Sequence, residues 1–203
     1  MKKAQLFISS LMLTSGLAFG QQVYDLNGSQ FQNFGPRNGK LDSLCVNPGV
    51  NDIHNSKQCA KYERKSTAKY DNIKIYLQGK LVDVTPYATY KGIPPKITMK
   101  IYSSAPVGTK VELQLGKKGN DNYPAGIHSQ YEAVTTVQNA WEILTFTFSQ
   151  IPQGSLIAPT EVDQITLLFS PNSSRADTYY FDDLTGPALT PATATMPKTK
   201  EDK

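Results

Sequence analysis

Between residues 73 and 169, large apolar side chains recur at every second position in short runs, and no other feature constrains the fold as strongly. Ile73, Ile75 and Leu77 alternate with Lys74 and Tyr76, and Ile97, Met99 and Ile101 with Thr98, Lys100 and Tyr102. Val111, Leu113 and Leu115 are spaced by Glu112 and Gln114, and Leu144, Phe146 and Phe148 by Thr145 and Thr147. Ile165, Leu167 and Phe169 repeat the pattern. A period of two puts alternate side chains on one side of an extended chain, so each run has one apolar face to bury. Antiparallel sheets that share a core need such faces. Turn-forming Gly, Pro and Asn residues at 92–95, 106–108, 116–122, 152–154 and 171–174 separate the runs. Many short strands at regular spacing predict a β-sandwich or barrel. Residues 55–65 fit either a short helix or an extended segment.

Lys2 and Lys3 precede an apolar run over 4–17, and Ala18-Phe19-Gly20 places small residues where a signal peptidase reads them. Residues 1–20 are therefore expected to be a secretory signal peptide, with the mature chain starting at Gln21 or Gln22. The run is too short to span a bilayer, no cysteine follows it for a lipid anchor, and no later segment suits membrane insertion. Secretion and periplasmic residence fit this leader equally. Losing Lys2 and Lys3 lowers the formal net charge by two, from +4 to +2. The remaining basic residues are scattered, which argues against nucleic-acid binding. Roughly 180 residues suffice for one buried domain, over 21–187. Residues 188–203, rich in Pro, Thr, Ala and Lys, are expected to form a disordered tail. The oligomeric state is not legible.

Two cysteines, Cys45 and Cys59, lie in the exported part. An oxidising compartment favours a disulfide between them. Closing about 15 residues would contribute on the order of 3 kcal/mol. Neither cysteine belongs to a Cys-x-x-Cys pair and only His54 lies between them, which argues against metal ligation. The aromatic strand 178–181 ends in Asp182-Asp183. Adjacent carboxylates need solvent, hydrogen bonds or a cation.

The run 178–186 resembles the closing strand of jelly-roll carbohydrate-binding modules with the galactose-binding-like fold. Asn47-Pro48-Gly49-Val50-Asn51, with Asn55-Ser56 and Cys59-Ala60-Lys61-Tyr62, resembles a pattern in secreted proteins of the Bacteroidota. Residues 97–115 look like the central strand pair of those modules, and 122–146 like their next hairpin. Such modules occur beside polysaccharide-degrading domains, notably β-glucanases, and also alone. The resemblance spans 23–187. It implies an all-β fold, a two-sheet antiparallel jelly-roll β-sandwich that binds polysaccharide without catalysis. It also implies a structural calcium, with Asp182 as first ligand and Asn27 as second, and Asp183 and Asp25 as alternates in register. Related modules often carry a glutamate in the entry strand, where this chain reads Asp25-Leu26-Asn27. The missing charge would weaken calcium binding.

Glycan recognition stacks sugar faces on aromatic rings while amides and charged groups bond the hydroxyls, and a groove must bring both together. Tyr123, His128, Gln130 and Tyr131 supply that chemistry in one stretch and are the expected ligand-binding residues. Trp141 has the parity of Thr145 and Thr147, but a bulge at the strand start would turn it into the core, its expected place. No nucleophile elbow or Ser-His-Asp order is present. Glu161 and Asp163 share a strand face, yet Ile165 stands where a laminarinase-type motif has its third acid. His128 and Tyr131 could serve a β-eliminating polysaccharide lyase, although no Arg-rich strand accompanies them. The expectation is a non-enzymatic glycan binder. The rivals are that lyase and a structural or protein-interaction sandwich at the cell surface.

Overall fold

A computed structural model describes residues 21–26, 33–34 and 38–191. The expected leader, Asn27 and residues 192–203 lie outside the described residues. Twelve strands are described, with one short 3-10 turn over Thr85–Tyr87. In chain order they are β1 (Gln21–Tyr24), β2 (Asn33–Phe34), β3 (Lys40–Val46), β4 (Gln58–Glu63), β5 (Asn72–Tyr76) and β6 (Thr98–Ser103). The others are β7 (Lys110–Gly116), β8 (Ile127–Val134), β9 (Trp141–Thr145), β10 (Thr147–Gln150), β11 (Gln164–Phe169) and β12 (Thr178–Pro187). The segment 55–65 is extended, as β4.

Two antiparallel six-stranded sheets face each other. The first has the order β3-β4-β12-β6-β9, with β1 beside the second half of β12. The second has the order β10-β8-β7-β11-β5-β2. The apolar runs behave as their period requires: Ile73, Ile75, Val111, Leu113, Leu115, Ile165, Leu167 and Phe169 all face the core. Across the interface Phe169 stacks on Tyr179 at 4.5 Å and meets Phe181 at 5.4 Å. Burying aromatic rings in this way supplies much of the driving force of a sandwich.

Four expectations are corrected. The stretch 97–115 is not a strand pair, because β6 belongs to the first sheet and β7 to the second. The stretch 122–146 likewise divides between β8 and β9 in different sheets. Their apolar faces meet across the core, so alternation alone could not distinguish a hairpin from a crossover. The single run from Leu144 to Phe148 is also two strands: buried Phe146 is the corner where the chain leaves β9 and enters β10. Strands that switch sheets in this way make the corners of a sandwich. Nor does the chain leave the fold at residue 188. The Val82 amide donates to the Ala188 carbonyl, Thr190 N donates to Lys80 O, and Leu189 packs on the core.

Candidate functional site

The outward residues of the second sheet form ordered rows. Lys74, Thr166, Gln114 and Gln130 are successive cross-strand partners, and Gln150 on β10 partners Gln130. Asn72, Leu168 and Glu112 make the neighbouring row. Five strands span roughly 19 Å at about 4.8 Å per spacing. These side chains floor a groove of about 530 Å³, within the size range of ligand sites. Tyr70, just before β5, and Tyr123, in the β7–β8 loop, stand over it at opposite strand ends, and both rings are more than half exposed.

The floor is wired through Glu112. Gln114 Nε2 donates to Glu112 Oε1 at 2.7 Å, and Gln130 Nε2 donates to the same oxygen at 2.5 Å. Gln130 Oε1 in turn accepts from Gln150 Nε2 at 2.7 Å and from the Tyr123 hydroxyl at 3.4 Å. Lys74 pairs with Asp121 at the rim. Asn72 Oδ1 is buried without a hydrogen-bond partner among the described residues. Close packing holds the Tyr123 loop in place: a Cβ on Gly126 would stand 1.8 Å from the Asn120 carbonyl oxygen.

Of the four expected ligand residues, Tyr123 and Gln130 line this groove; His128 and Tyr131 do not. Register shifts by one between Leu115 and Gly116, so Ile127 opposes Gly116 while Ser129 opposes Leu115, leaving His128 unpaired. That bulge sends His128 away from the groove floor, to a hydrogen bond with Ser129 Oγ at 3.0 Å, and Ser129 Oγ bonds the Tyr131 hydroxyl at 3.0 Å. Tyr131 is 0% exposed and belongs to the core. Burial pushes its phenol far above the ordinary range and pulls His128 below its usual value, with Asp83 opposing the latter. Tyr70, Asn72, Glu112, Gln114, Gln150 and Thr166 were missed. Glu112 and Gln114 stand in the sequence as polar spacers between core residues, and that spacing is the available signal.

The acidic pair of β12 sits on the outer face of the first sheet. Asp183 adopts φ 46°, and the β12–β6 register shifts between Asp182 and Thr185, so Leu184 still reaches the core. Asp182 is 1% exposed; its Oδ1 accepts the amides of Leu26 at 2.9 Å and Asp183 at 2.8 Å. Its Oδ2 lies 3.4 Å from His54 Nε2. Asp183 turns to Lys100, at 2.7 Å. Calcium takes six to eight oxygen ligands. Among the described residues no three acidic, histidine or cysteine side chains gather for a metal. Asn27, the second expected ligand, lies outside the described residues.

The β3–β4 loop covers this face. His54 meets Trp141 edge-on at 4.3 Å, and Trp141 Nε1 donates to Asn47 Oδ1 at 2.9 Å. Trp141 is thus buried beneath a loop on the outer face, with its cross-strand partner Tyr102, and not in the core as expected. Cys45 and Cys59 are direct cross-strand partners, yet the expected disulfide is not formed; both are free thiols. Cys45 Sγ points to the Val46 carbonyl at 3.4 Å, and burial pushes the Cys59 thiol up to about 12.

No protein-family model and no curated protein matches the sequence. Solved structures match in fold. A family 11 carbohydrate-binding module from Clostridium thermocellum, in complex with a β-1,3-1,4-mixed-linked tetrasaccharide, superposes with TM-score 0.50 and 14% identity. The match covers 85% of this chain and 99% of that one. The family 11 module of the cellulosomal cellulase Lic26A-Cel5E of the same organism gives TM-score 0.51 and 14% identity, over 87% and 100% of the two chains. An exo-β-agarase gives TM-score 0.53 and 11% identity, over 82% of this chain and 25% of the agarase. The fold is therefore that of a jelly-roll β-sandwich. Among the described residues no helix is long and apolar enough to cross a membrane.

Proposed function

We propose that the chain is a non-catalytic polysaccharide-binding module that holds a glycan on the outer face of its second sheet. One observation carries the reading: two exposed tyrosines stand over a groove floored by hydrogen-bonding amides and a carboxylate. Rings stack on sugar faces, and the floor meets hydroxyls. The lyase reading loses ground because His128 and Tyr131, its base and acid, face the interior and bond each other through Ser129. One module of the same fold was solved with a β-1,3-1,4-mixed-linked tetrasaccharide, so that glucan is the first ligand to test. Titration calorimetry on residues 21–191 should register weak binding to a neutral glycan. No heat across neutral and acidic glycans, with no unsaturated product, leaves a protein-interaction sandwich instead.

Export belongs to the same reading, with residues 1–20 as the leader. Cross-strand partners have Cα atoms about 4.5–5.5 Å apart, a spacing a disulfide accepts. Oxidation after export is therefore proposed to join Cys45 and Cys59 at the base of the β3–β4 loop. Protein recovered from outside the cytoplasm should show no free thiol when denatured unreduced; two reactive thiols per chain overturn this.

A further inference from the structure

We infer that the groove discriminates against anionic glycans and that Glu112 sets the discrimination, an inference that rests on the glycan-binding reading above. The carboxylate at the centre of the floor, and the charge balance of the lining, carry it. The amide nitrogens of Gln114 and Gln130 both point at Glu112 Oε1, and that of Gln150 points at Gln130. Each of these amides spends one of its two N–H donors inside the network. What the carboxylate adds toward a ligand is a charged acceptor, the second oxygen of Glu112.

Charge points the same way. Lys74 is the one cation among the groove-lining residues, and Asp121 already holds it. Among the described residues Glu112 pairs with no cation. The lining therefore carries one positive and two negative side chains, a net charge of −1. Sugar hydroxyls can donate to this acceptor. The carboxylate of a uronate, like a sulfate ester group, has no proton to donate and would meet Glu112 in a half-buried site, where like-charge repulsion is less screened than in bulk water. Charge-assisted hydrogen bonds from hydroxyls to Glu112 would in turn be the stronger ones on the floor.

Affinity electrophoresis of the full chain through matched polymers tests this. Hydroxyethylcellulose against carboxymethylcellulose, and agarose against a sulfated galactan, vary charge on related backbones. At low salt, retention on at least one neutral member should exceed that on its anionic partner by tenfold or more. The gap should narrow as salt rises, because screening weakens repulsion. Glu112→Gln should narrow it too, with an unchanged melting temperature. Equal or tighter retention on the anionic member, or a gap that Glu112→Gln leaves unmoved, overturns the inference while sparing the module reading. Retention on no polymer, mixed-linked glucan included, overturns both.

Discussion

Tyr123 and Tyr131 lie eight positions apart and offer the same chemistry, yet their surroundings give them opposite roles. Tyr123 is 59% exposed and Tyr131 0%. Tyr123→Ala and Tyr70→Ala are each expected to cost about 1–2 kcal/mol of glycan affinity, as loss of an exposed anchor does, with little change in melting. Tyr131→Ala should instead cost about 3–5 kcal/mol of stability, the usual penalty for deleting a buried ring. Calorimetry and urea melts on the three variants separate these outcomes; an unfolded Tyr123→Ala would contradict the assignment. The split was readable in principle. Gln130 and Glu132 alternate with Tyr131 and Ala133, so no flat strand presents both Gln130 and Tyr131 on one face. The bulge at His128 was not readable, because nothing local to Ile127-His128-Ser129 demands an extra residue. Asp182 follows the same logic of surroundings. Asp182→Ala would strand the buried Leu26 amide and the half-buried Asp183 amide. Each orphaned amide costs about 1–3 kcal/mol, so a loss above about 2 kcal/mol in denaturant titration is expected. Melting wild type with calcium and with chelator decides the metal: a rise with calcium recruits Asn27 and Asp182 as ligands, and identical curves leave Asp182 as an amide clamp.

Clean alternation made β5, β6, β7 and β11 legible as elements, because each has one face in the core and one outside it. Their partners were not legible: β6 and β7 bury identical-looking faces from opposite sheets. Loops depend still less on local pattern, and the one bearing Tyr70 is held by a distant clamp. Arg64 is 3% exposed, and its guanidinium donates to five carbonyls. Those of Ala68 and Lys69 belong to the loop before Tyr70, and those of Phe169, Ser173 and Arg175 to the end of β11 and the turn after it. Asp71 completes the clamp by accepting the Tyr62 hydroxyl at 2.7 Å and the Lys65 amide at 2.6 Å. A lysine lacks the planar fork and cannot reach these acceptors together. Arg64→Lys should therefore raise hydrogen exchange in 65–71 and 170–176, and lower glycan affinity as far as Tyr70→Ala does. Unchanged exchange in both loops would show that Arg64 does not hold them.

As a whole the sandwich spends its two outer faces differently. The β3–β4 loop closes over Trp141 and Asp182 on the first sheet, while the second sheet keeps its polar rows in an open groove. This division leaves both histidines of the chain, His54 and His128, buried. Burial is the main cause of a downward shift in each, from the ordinary 6.5, and the nearby Asp182 and Asp83 only partly oppose it. A histidine whose folded value lies below its unfolded one stays neutral in the native state while the unfolded chain takes up the proton. Between those two values the unfolded state binds more protons, so stability rises with pH there and is flat above it. Acidification should thus leave melting unchanged down to about pH 7 and lower it from there toward pH 5, by up to about 1.4 kcal/mol for each pKa unit of downshift. Carboxylates held low by lysines, such as Glu63 and Glu161, titrate below this window and do not set its slope. His128→Gln should remove its share of the slope, because glutamine takes no proton in this range. Melting temperatures of wild type and variant at half-unit steps from pH 5 to 8 test this. Stability that climbs on acidification through pH 6 would mean that Asp182 and Asp83, not burial, govern the two rings.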